Sequence, residues 1–196
     1  MSADQLNLSS LKFQPLIPAR WSDFEQLFGE KGAYGGCWCM YWRITRSQFE
    51  KQQGPENREA MREIVNSGEI PGILAYFENR PIGWCAIAPR ENYSSLNRSF
   101  VLKRIDDLPV WSIVCFFIDK KYRGRGIGLF LIHAAIDYVR REGGEVIEAY
   151  PTRPRKGSLP PVSSYMGLPG IFSKAGFVEC KRPSKAKIIM RYSIEN

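Results

Sequence analysis

A basic, glycine-rich stretch from Tyr122 to Gly128 (YRGRGIG) carries the residues best suited to bind a negatively charged group. Three glycines alternate there with Arg123, Arg125 and an isoleucine, directly after the apolar run VWSIVCFFID. Because glycine is costly inside regular structure, three in five positions indicate a loop that approaches a ligand closely. Where such a loop opens a helix, unpaired backbone N–H groups and the helix dipole can hold a phosphate. The stretch therefore predicts a site for a phosphorylated ligand.

Two familiar phosphate-binding loops do not have this spacing. The Walker A loop ends in Gly-Lys followed by Ser or Thr, which is absent here. The dinucleotide fingerprint is G-x-G-x-x-G, and counted from Gly124 its third glycine falls on Leu129. The spacing that is present is R-x-x-G-x-G, formed by Arg123, Gly126 and Gly128.

The elements around the loop alternate between strands and helices. The run VWSIVCFFID is apolar on both alternating faces, which is typical of a strand in the middle of a sheet with helices on both sides. The segment LFLIHAAIDYVRREGG predicts a helix and EVIEAYP the next strand, so the loop lies inside a β-α-β crossover. GILAYFENRPIGWCAIAP predicts an antiparallel hairpin before it, and FVECK and KIIMRYS predict two strands after it. Strict alternation in the central strand predicts that Trp111, Ile113, Cys115 and Phe117 share one face, and that Val114, Phe116 and Ile118 share the other.

With these motifs, the sequence resembles the GNAT superfamily of acyl-CoA-dependent N-acyltransferases. That family has Q/R-x-x-G-x-G/A after a buried central strand and at the start of a helix. It often closes with a short helix ending in K/R-x-G-F and two strands, to which FSKAGFVEC and IIMRYS are similar. The resemblance covers nearly the whole chain. It implies one domain over residues 1–196, an α/β fold with a mixed, mostly antiparallel central sheet and helices on both faces.

The resemblance also implies acetyl-CoA as the cofactor and an amine acceptor, in a small molecule or a peptide, that attacks directly. The glycine turn would hold the pyrophosphate, and the strand segment from Cys115 to Ile118 would part from the segment from Val146 to Tyr150. Backbone groups exposed by that parting would bind the pantetheine arm. The residues assigned to the cofactor are Phe116, Phe117, Ile118, Arg123, Gly124, Arg125, Gly126, Ile127, Gly128 and Phe172.

Direct acyl transfer needs a free amine, a stabilised oxyanion and a proton for the departing thiolate. In many family members a tyrosine four residues before the glycine of the G-F pair donates that proton, and here Phe172 stands at that position. Tyr165, the nearest phenol, is the alternative acid, with surface packing as its other interpretation. Phe172 keeps open a second function, an acyl-CoA-binding module or sensor without turnover.

Glu148 is the carboxylate that the sequence places inside the sheet, one strand from the expected thioester. A carboxylate in a sheet interior is costly unless it is paired or used. We therefore consider two roles for Glu148, a catalytic base or amine-binding group, and a structural ion pair with an arginine.

The segment GGCWCMYW is rich in aromatic residues for a stretch between predicted helices. By the resemblance, Trp38, Tyr41 and Trp42 line the acceptor pocket, and core packing beneath a loop is the alternative. Cys37 and Cys39 alone are too few ligands for a metal site, so no metal is predicted.

The bulk composition limits the other classes of protein to which the chain could belong. The chain has 28 basic and 20 acidic residues, a net charge of +8, which attracts polyanions in general. No motif of a DNA- or RNA-binding domain accompanies that charge, so nucleic acid is not an expected partner. No apolar run is long enough for a membrane span, and no signal peptide is visible. The five cysteines contain no C-x-x-C pair, which indicates reduced thiols and a cytoplasmic location. A homodimer is left open.

Overall fold

A seven-stranded sheet forms the centre of the computed structural model, which describes residues 7–153 and 164–195. The strand order is β1-β2-β3-β4-β5-β7-β6. Of the neighbouring pairs, β4 and β5 run parallel and the other five are antiparallel. The strands are β1 (Lys12–Pro15), β2 (Gly72–Phe77), β3 (Arg80–Pro89), β4 (Trp111–Ile118), β5 (Val146–Ala149), β6 (Val178–Lys181) and β7 (Ile189–Ser193). The mixed, mostly antiparallel sheet predicted from the sequence is confirmed.

Helices cover both faces of this sheet. They are α1 (Trp21–Phe28), α2 (Arg46–Lys51), α3 (Pro55–Asn66), α4 (Ser94–Asn97), α5 (Ile127–Arg141) and α6 (Pro169–Lys174). One core cluster joins the apolar sides of α1 and α3 to the sheet, and a second joins α5 and α6 to the other face. Within the described residues, no helix is both long and apolar enough to cross a bilayer.

The alternation predicted along β4 is wrong because of a β-bulge. Ala86 pairs with Cys115 and Ile87 with Ile113, so Val114 is an extra residue without a partner on β3. A one-residue insertion moves every following side chain to the opposite face. Past the bulge, Phe116 and Ile118 therefore join Ile113 and Trp111 on the α5 side, whereas Cys115 and Phe117 face the α1 side.

The two parallel strands part at the bulge. Their pairing begins at Trp111 with Ile147 and ends at Ile113 with Ala149. Strand β4 continues to Ile118, which is still paired with Gly83 of β3. The second half of β4 is thus bound on one edge and open on the other, as the sequence predicts.

Candidate active site

A cavity of about 860 Å³ lies against the open half of β4. Its walls come from β4, the turn after it, the segment that follows α1, helix α2 and the start of the segment after residue 163. The lining residues are Phe28, Ala33, Tyr34, Gly35, Cys37, Cys39, Tyr41, Trp42, Phe49, Gln53, Cys115, Phe116, Phe117, Ile118, Arg123, Ser164 and Tyr165. The volume lies in the usual range for small-molecule and cofactor sites.

The glycine turn leads from β4 into α5. Gly124 and Gly126 have φ values of +75° and +84°, in the left-handed region that favours glycine. Gly126 is the N-cap of α5, where no side chain caps the helix and no acid lies in the first turn. Because the first N–H groups of a helix lack intrahelical partners and sit at its positive end, this terminus suits an anion.

Gly128 leaves room for a ligand beside that terminus. Apart from its chain neighbours and the backbone of α5, a Cβ built on Gly128 would meet Ile171 Cδ1 as the one described atom within 4 Å, at an ordinary contact distance of 3.5 Å. Its φ does not require glycine, so neither the backbone conformation nor a protein neighbour accounts for the absence of a side chain. The predicted phosphate turn would place a ligand in that space.

Arg123 connects the turn to the cavity. Its Nε donates a hydrogen bond of 2.8 Å to the Ile118 carbonyl at the end of β4, and its guanidinium carbon lies 5.9 Å from the centre of the Phe117 ring. The neighbouring Arg125 lies over the Tyr122 ring at 6.0 Å. Both arginines are exposed beside the start of α5, where their charge adds to that of the helix terminus.

A backbone hydrogen bond closes part of the gap beside β4. The Phe116 N–H donates to the Tyr165 carbonyl at 2.6 Å. Tyr165 therefore lies at the cavity wall, half-buried, and Tyr41 faces its ring edge-on at a centroid distance of 6.4 Å. Burial raises the pKa of the Tyr165 hydroxyl, and the nearby Cys115 raises it further. This hydroxyl stays protonated across the neutral range, as a proton donor must.

Of the three predicted wall residues, Tyr41 and Trp42 line the cavity and Trp38 does not. The Trp38 side chain is 4% exposed and stacks on Phe28 at 5.8 Å in the core under the segment. This is the packing alternative that the sequence left open. Trp38 and Cys39 have φ values of +45° and +62°, a conformation that non-glycine residues rarely adopt. That backbone turns Trp38 away from the cavity.

Glu148 forms buried ion pairs with two arginines. Arg90, which is fully buried, lies 3.1 Å from Glu148 Oε2, and Arg191 lies 2.7 Å from Oε1. The Tyr150 hydroxyl also donates to Oε2, at 2.7 Å. Burial and the Glu148 charge raise the pKa of that hydroxyl. Glu148 is 1% exposed and is not among the residues that line the cavity. The structure thus corrects the catalytic assignment of Glu148: its carboxylate oxygens are engaged by arginines, the ion-pair alternative.

Phe172 lies beneath the site rather than in it. It is fully buried and packs against Phe116 at 5.9 Å and Phe177 at 5.2 Å. The structure therefore corrects the predicted contact of Phe172 with the cofactor. Its ring instead supports β4 from below. Ile127 is also buried, so only its backbone faces the turn.

Several residues that line the cavity are not predicted from the sequence. Phe49 lies in α2, where its ring meets Tyr41, and Phe28 lies at the end of α1, where its ring is 5.3 Å from Phe117 of β4. Cys39 and Cys115 lie at the cavity floor, where Trp84 Nε1 donates to Cys39 Sγ at 3.3 Å. Burial raises the pKa of Cys37 to about 11. All five cysteines are free thiols. The clustering of glycine, cysteine and aromatic residues in 32–42 is the one signal that marks this wall.

The comparisons with known proteins agree with this geometry. A family model described as the acetyltransferase (GNAT) family matches residues 38–160, more than half of the chain. No curated protein sequence matches.

Solved structures share the fold at low sequence identity. The PaiA N-acetyltransferase of Thermoplasma acidophilum, in complex with coenzyme A, is 14% identical with a TM-score of 0.54, over 94% of this chain and 99% of that one. A GNAT-family acetyltransferase of Streptococcus agalactiae is 14% identical with a TM-score of 0.58, over 98% and 100%. A chain of the NatC complex, bound to a Gag peptide and CoA, is 14% identical with a TM-score of 0.54, over 95% and 99%.

Proposed function

This chain belongs to the acetyltransferase (GNAT) family, and we propose that it transfers the acetyl group of acetyl-CoA to a primary amine by direct attack. Members of the family are acyl-CoA-dependent N-acyltransferases that use acetyl-CoA. The observation that carries the proposal is the parting of β4 and β5 beside a glycine turn that opens α5, with a cavity against the open half of β4.

The residues around the turn fit the phosphate end of the cofactor. In this proposal the backbone of Gly124, Gly126, Ile127 and Gly128 surrounds the pyrophosphate at the positive end of α5. Arg123 and Arg125 add charge beside it. We place the phosphate oxygens in the space next to Gly128, where Ile171 Cδ1 is the one described atom within 4 Å of a built Cβ apart from the chain neighbours and the backbone of α5.

The open edge of β4 fits the pantetheine arm. Phe116, Phe117 and Ile118 line the cavity with their backbone beyond the last β5 pair. We place the arm along this edge, so that the thioester reaches the cavity floor near Cys115. Acetyl-CoA supplies an activated acetyl group there.

The protein supplies the acid in the transfer. As the amine nitrogen bonds to the acetyl carbon, the carbon–sulfur bond breaks and the thiolate takes a proton from the Tyr165 hydroxyl. The proton lost by the amine passes to water, because the Glu148 carboxylate is held by Arg90 and Arg191 away from the cavity, and water returns a proton to the Tyr165 phenolate. The acceptor ring or chain lies against Tyr41 and Trp42.

A binding module without turnover is the second candidate, and the observation in its favour is the apolar, buried Phe172 at the family's acid position. Release of free CoA separates the two functions. We expect CoA release from acetyl-CoA to depend on an added amine. A protein that binds acetyl-CoA in calorimetry, yet releases no CoA with any member of a broad amine panel, is a binding module.

A cytoplasmic location completes the proposal as a prediction, and a homodimer is left open. The five free thiols, two of them at the cavity floor, suit a reducing compartment. Light scattering of the purified protein measures its oligomeric state.

A further inference from the structure

The part of the cavity away from the glycine turn is walled by aromatic rings. Tyr41 packs edge-to-face with Trp42 at 5.0 Å, with Phe49 at 5.3 Å and with Tyr165 at 6.4 Å. Phe28 and Tyr34 continue the wall, and Tyr34 lies at the rim with 69% of its surface exposed. A flat apolar group fits among rings that already meet one another edge-to-face.

The described part of this wall contains no carboxylate. Among the described lining residues the charged side chain is Arg123, which lies at the end of β4 beside the turn. The buried Glu148 carboxylate is paired with Arg90, and the half-buried Glu69 is paired with Arg43 at 2.6 Å. Neutral polar groups of the lining come from Gln53, Ser164 and the tyrosine hydroxyls.

This arrangement disfavours a protonated amine in two ways. An ammonium group that leaves water for an apolar wall loses hydration without gaining a counter-charge. Ring faces do attract a cation, but that attraction stabilises the protonated form, which cannot attack. An alkylamine with a pKa near that of lysine, about 10.4, is unprotonated in only about one molecule in a few thousand at pH 7. With no described carboxylate to take the proton, the wall suits an amine that is already neutral.

We propose that the acceptor is an aromatic amine, that is, a primary amine attached directly to a flat ring. Delocalisation of its lone pair into the ring keeps the nitrogen uncharged at neutral pH. The ring lies among Tyr41, Trp42 and Phe49, and the nitrogen points to the floor at Cys115. This inference rests on the proposed acetyl transfer and specifies the substrate class of the same site.

The first test compares three amines with the wild-type protein: aniline, cyclohexylamine and spermidine. Cyclohexylamine has a six-membered ring of similar size but is an ammonium ion at pH 7. We expect kcat/KM at pH 7 to be at least about tenfold higher for aniline than for either of the others. Between pH 7 and 9 the aniline rate stays flat, whereas the cyclohexylamine rate rises about tenfold per pH unit as free amine appears. A preference for spermidine or cyclohexylamine at pH 7 overturns the inference and leaves the proposed transfer standing.

A second test adds a carboxylate to the wall. Gln53→Glu changes charge without changing size at an exposed position that lines the cavity. We expect it to lower the ratio of kcat/KM for aniline to that for cyclohexylamine by at least about fivefold. Gln52→Glu is the matched control, because it makes the same change one residue away and does not line the cavity.

The outcomes of the two tests are distinct. An unchanged ratio in Gln53→Glu means that wall charge does not select the acceptor and contradicts the inference. Release of no CoA with any of the three amines, from a protein that binds acetyl-CoA in calorimetry, counts against the proposed transfer itself and removes the inference with it.

Discussion

The Phe116 N–H and the Tyr165 carbonyl form a 2.6 Å hydrogen bond across the gap where β4 has left β5. The bond uses backbone atoms alone, so it holds residue 165 at the cavity whatever its side chain. It also occupies one of the β4 groups along which we place the pantetheine arm. The proton donor and the cofactor strand of the proposed mechanism are thus directly connected.

Tyr165→Phe tests the proposed acid. The backbone bond and the ring remain, and only the hydroxyl is lost. We expect the affinity for CoA to stay within about twofold, whereas the rate of the chemical step falls by about 10²-fold, the lower end for loss of a general acid. Single-turnover measurements of CoA release report that step directly.

The pH dependence of the wild-type rate follows from the same hydroxyl. Because burial raises the pKa of Tyr165 above its ordinary value near 10, the acid form persists through the alkaline pH range where a free tyrosine would ionise. We expect no loss of rate between pH 9 and 10. If the Tyr165→Phe variant keeps the wild-type rate, the departing thiolate takes its proton from another donor.

Gly128→Val tests the phosphate site without straining the backbone. Its side chain would enter the space at the start of α5, where the Cβ meets Ile171 Cδ1 at an ordinary contact distance. We expect the affinity for CoA to fall by at least tenfold, about 1.4 kcal/mol, in isothermal titration calorimetry. Gly126→Val is less informative, because its φ of +84° strains any side chain whether or not a ligand binds.

Gly170→Val is the control for that substitution. Gly170 also lies in the first turn of a helix, has no protein atom within 4 Å of a built Cβ and is not in the proposed site. We expect the Gly170→Val variant to bind CoA with the affinity of the wild type. Equal affinities in both variants would show that nothing approaches Gly128 closely.

Charge at the turn is tested with two pairs of arginines. Changing Arg123 and Arg125 to glutamine should weaken CoA binding and make it less sensitive to salt. Changing Arg140 and Arg141, at the far end of α5, removes the same charge and should have little effect. Equal effects of the two pairs on titrations at several ionic strengths would mean that the net charge of +8 acts as a diffuse field.

The sequence predicts most of the fold because its signals are local. Gly126 and Gly128 mark the start of α5, and the apolar run before them marks a central strand. The reversal of faces past Val114 has no local signal, since a bulge depends on the pairing of β4 with β3. The sequence therefore predicts the glycine turn at the start of α5 correctly but predicts the wrong face for the side chains beyond Val114.

The individual side chains of the site depend on tertiary contacts. Trp38 and Tyr41 are both aromatic and three residues apart, yet backbone turns with positive φ send the first into the core and leave the second at the cavity. From the sequence alone, Glu148 is a buried acid whose burial is costly. In the structure its partner is Arg90, which is 58 residues away along the chain. Such a pairing cannot be inferred from the spacing of residues in β5.

Glu148→Gln separates a structural from a catalytic role for that carboxylate. The change leaves Arg90, which is fully buried, without its counter-charge, and also weakens the contact with Arg191. Removal of one partner of a buried ion pair typically costs about 3–5 kcal/mol, and because the amide oxygen is retained we expect a cost of about 3 kcal/mol for this variant. We expect that loss in the free energy of unfolding, measured in denaturant, with the acetyl-transfer pH profile of the folded protein unchanged.

Glu50→Gln provides the comparison, because Glu50 pairs with Arg46 on the exposed surface of α2, where an ion pair contributes little. Its unfolding free energy should stay within about 0.5 kcal/mol of the wild type. A Glu148→Gln protein of wild-type stability, whose rate falls at neutral pH and recovers as the pH rises, would instead make Glu148 the base. The buried arginines would then position that carboxylate for proton transfer rather than support the fold.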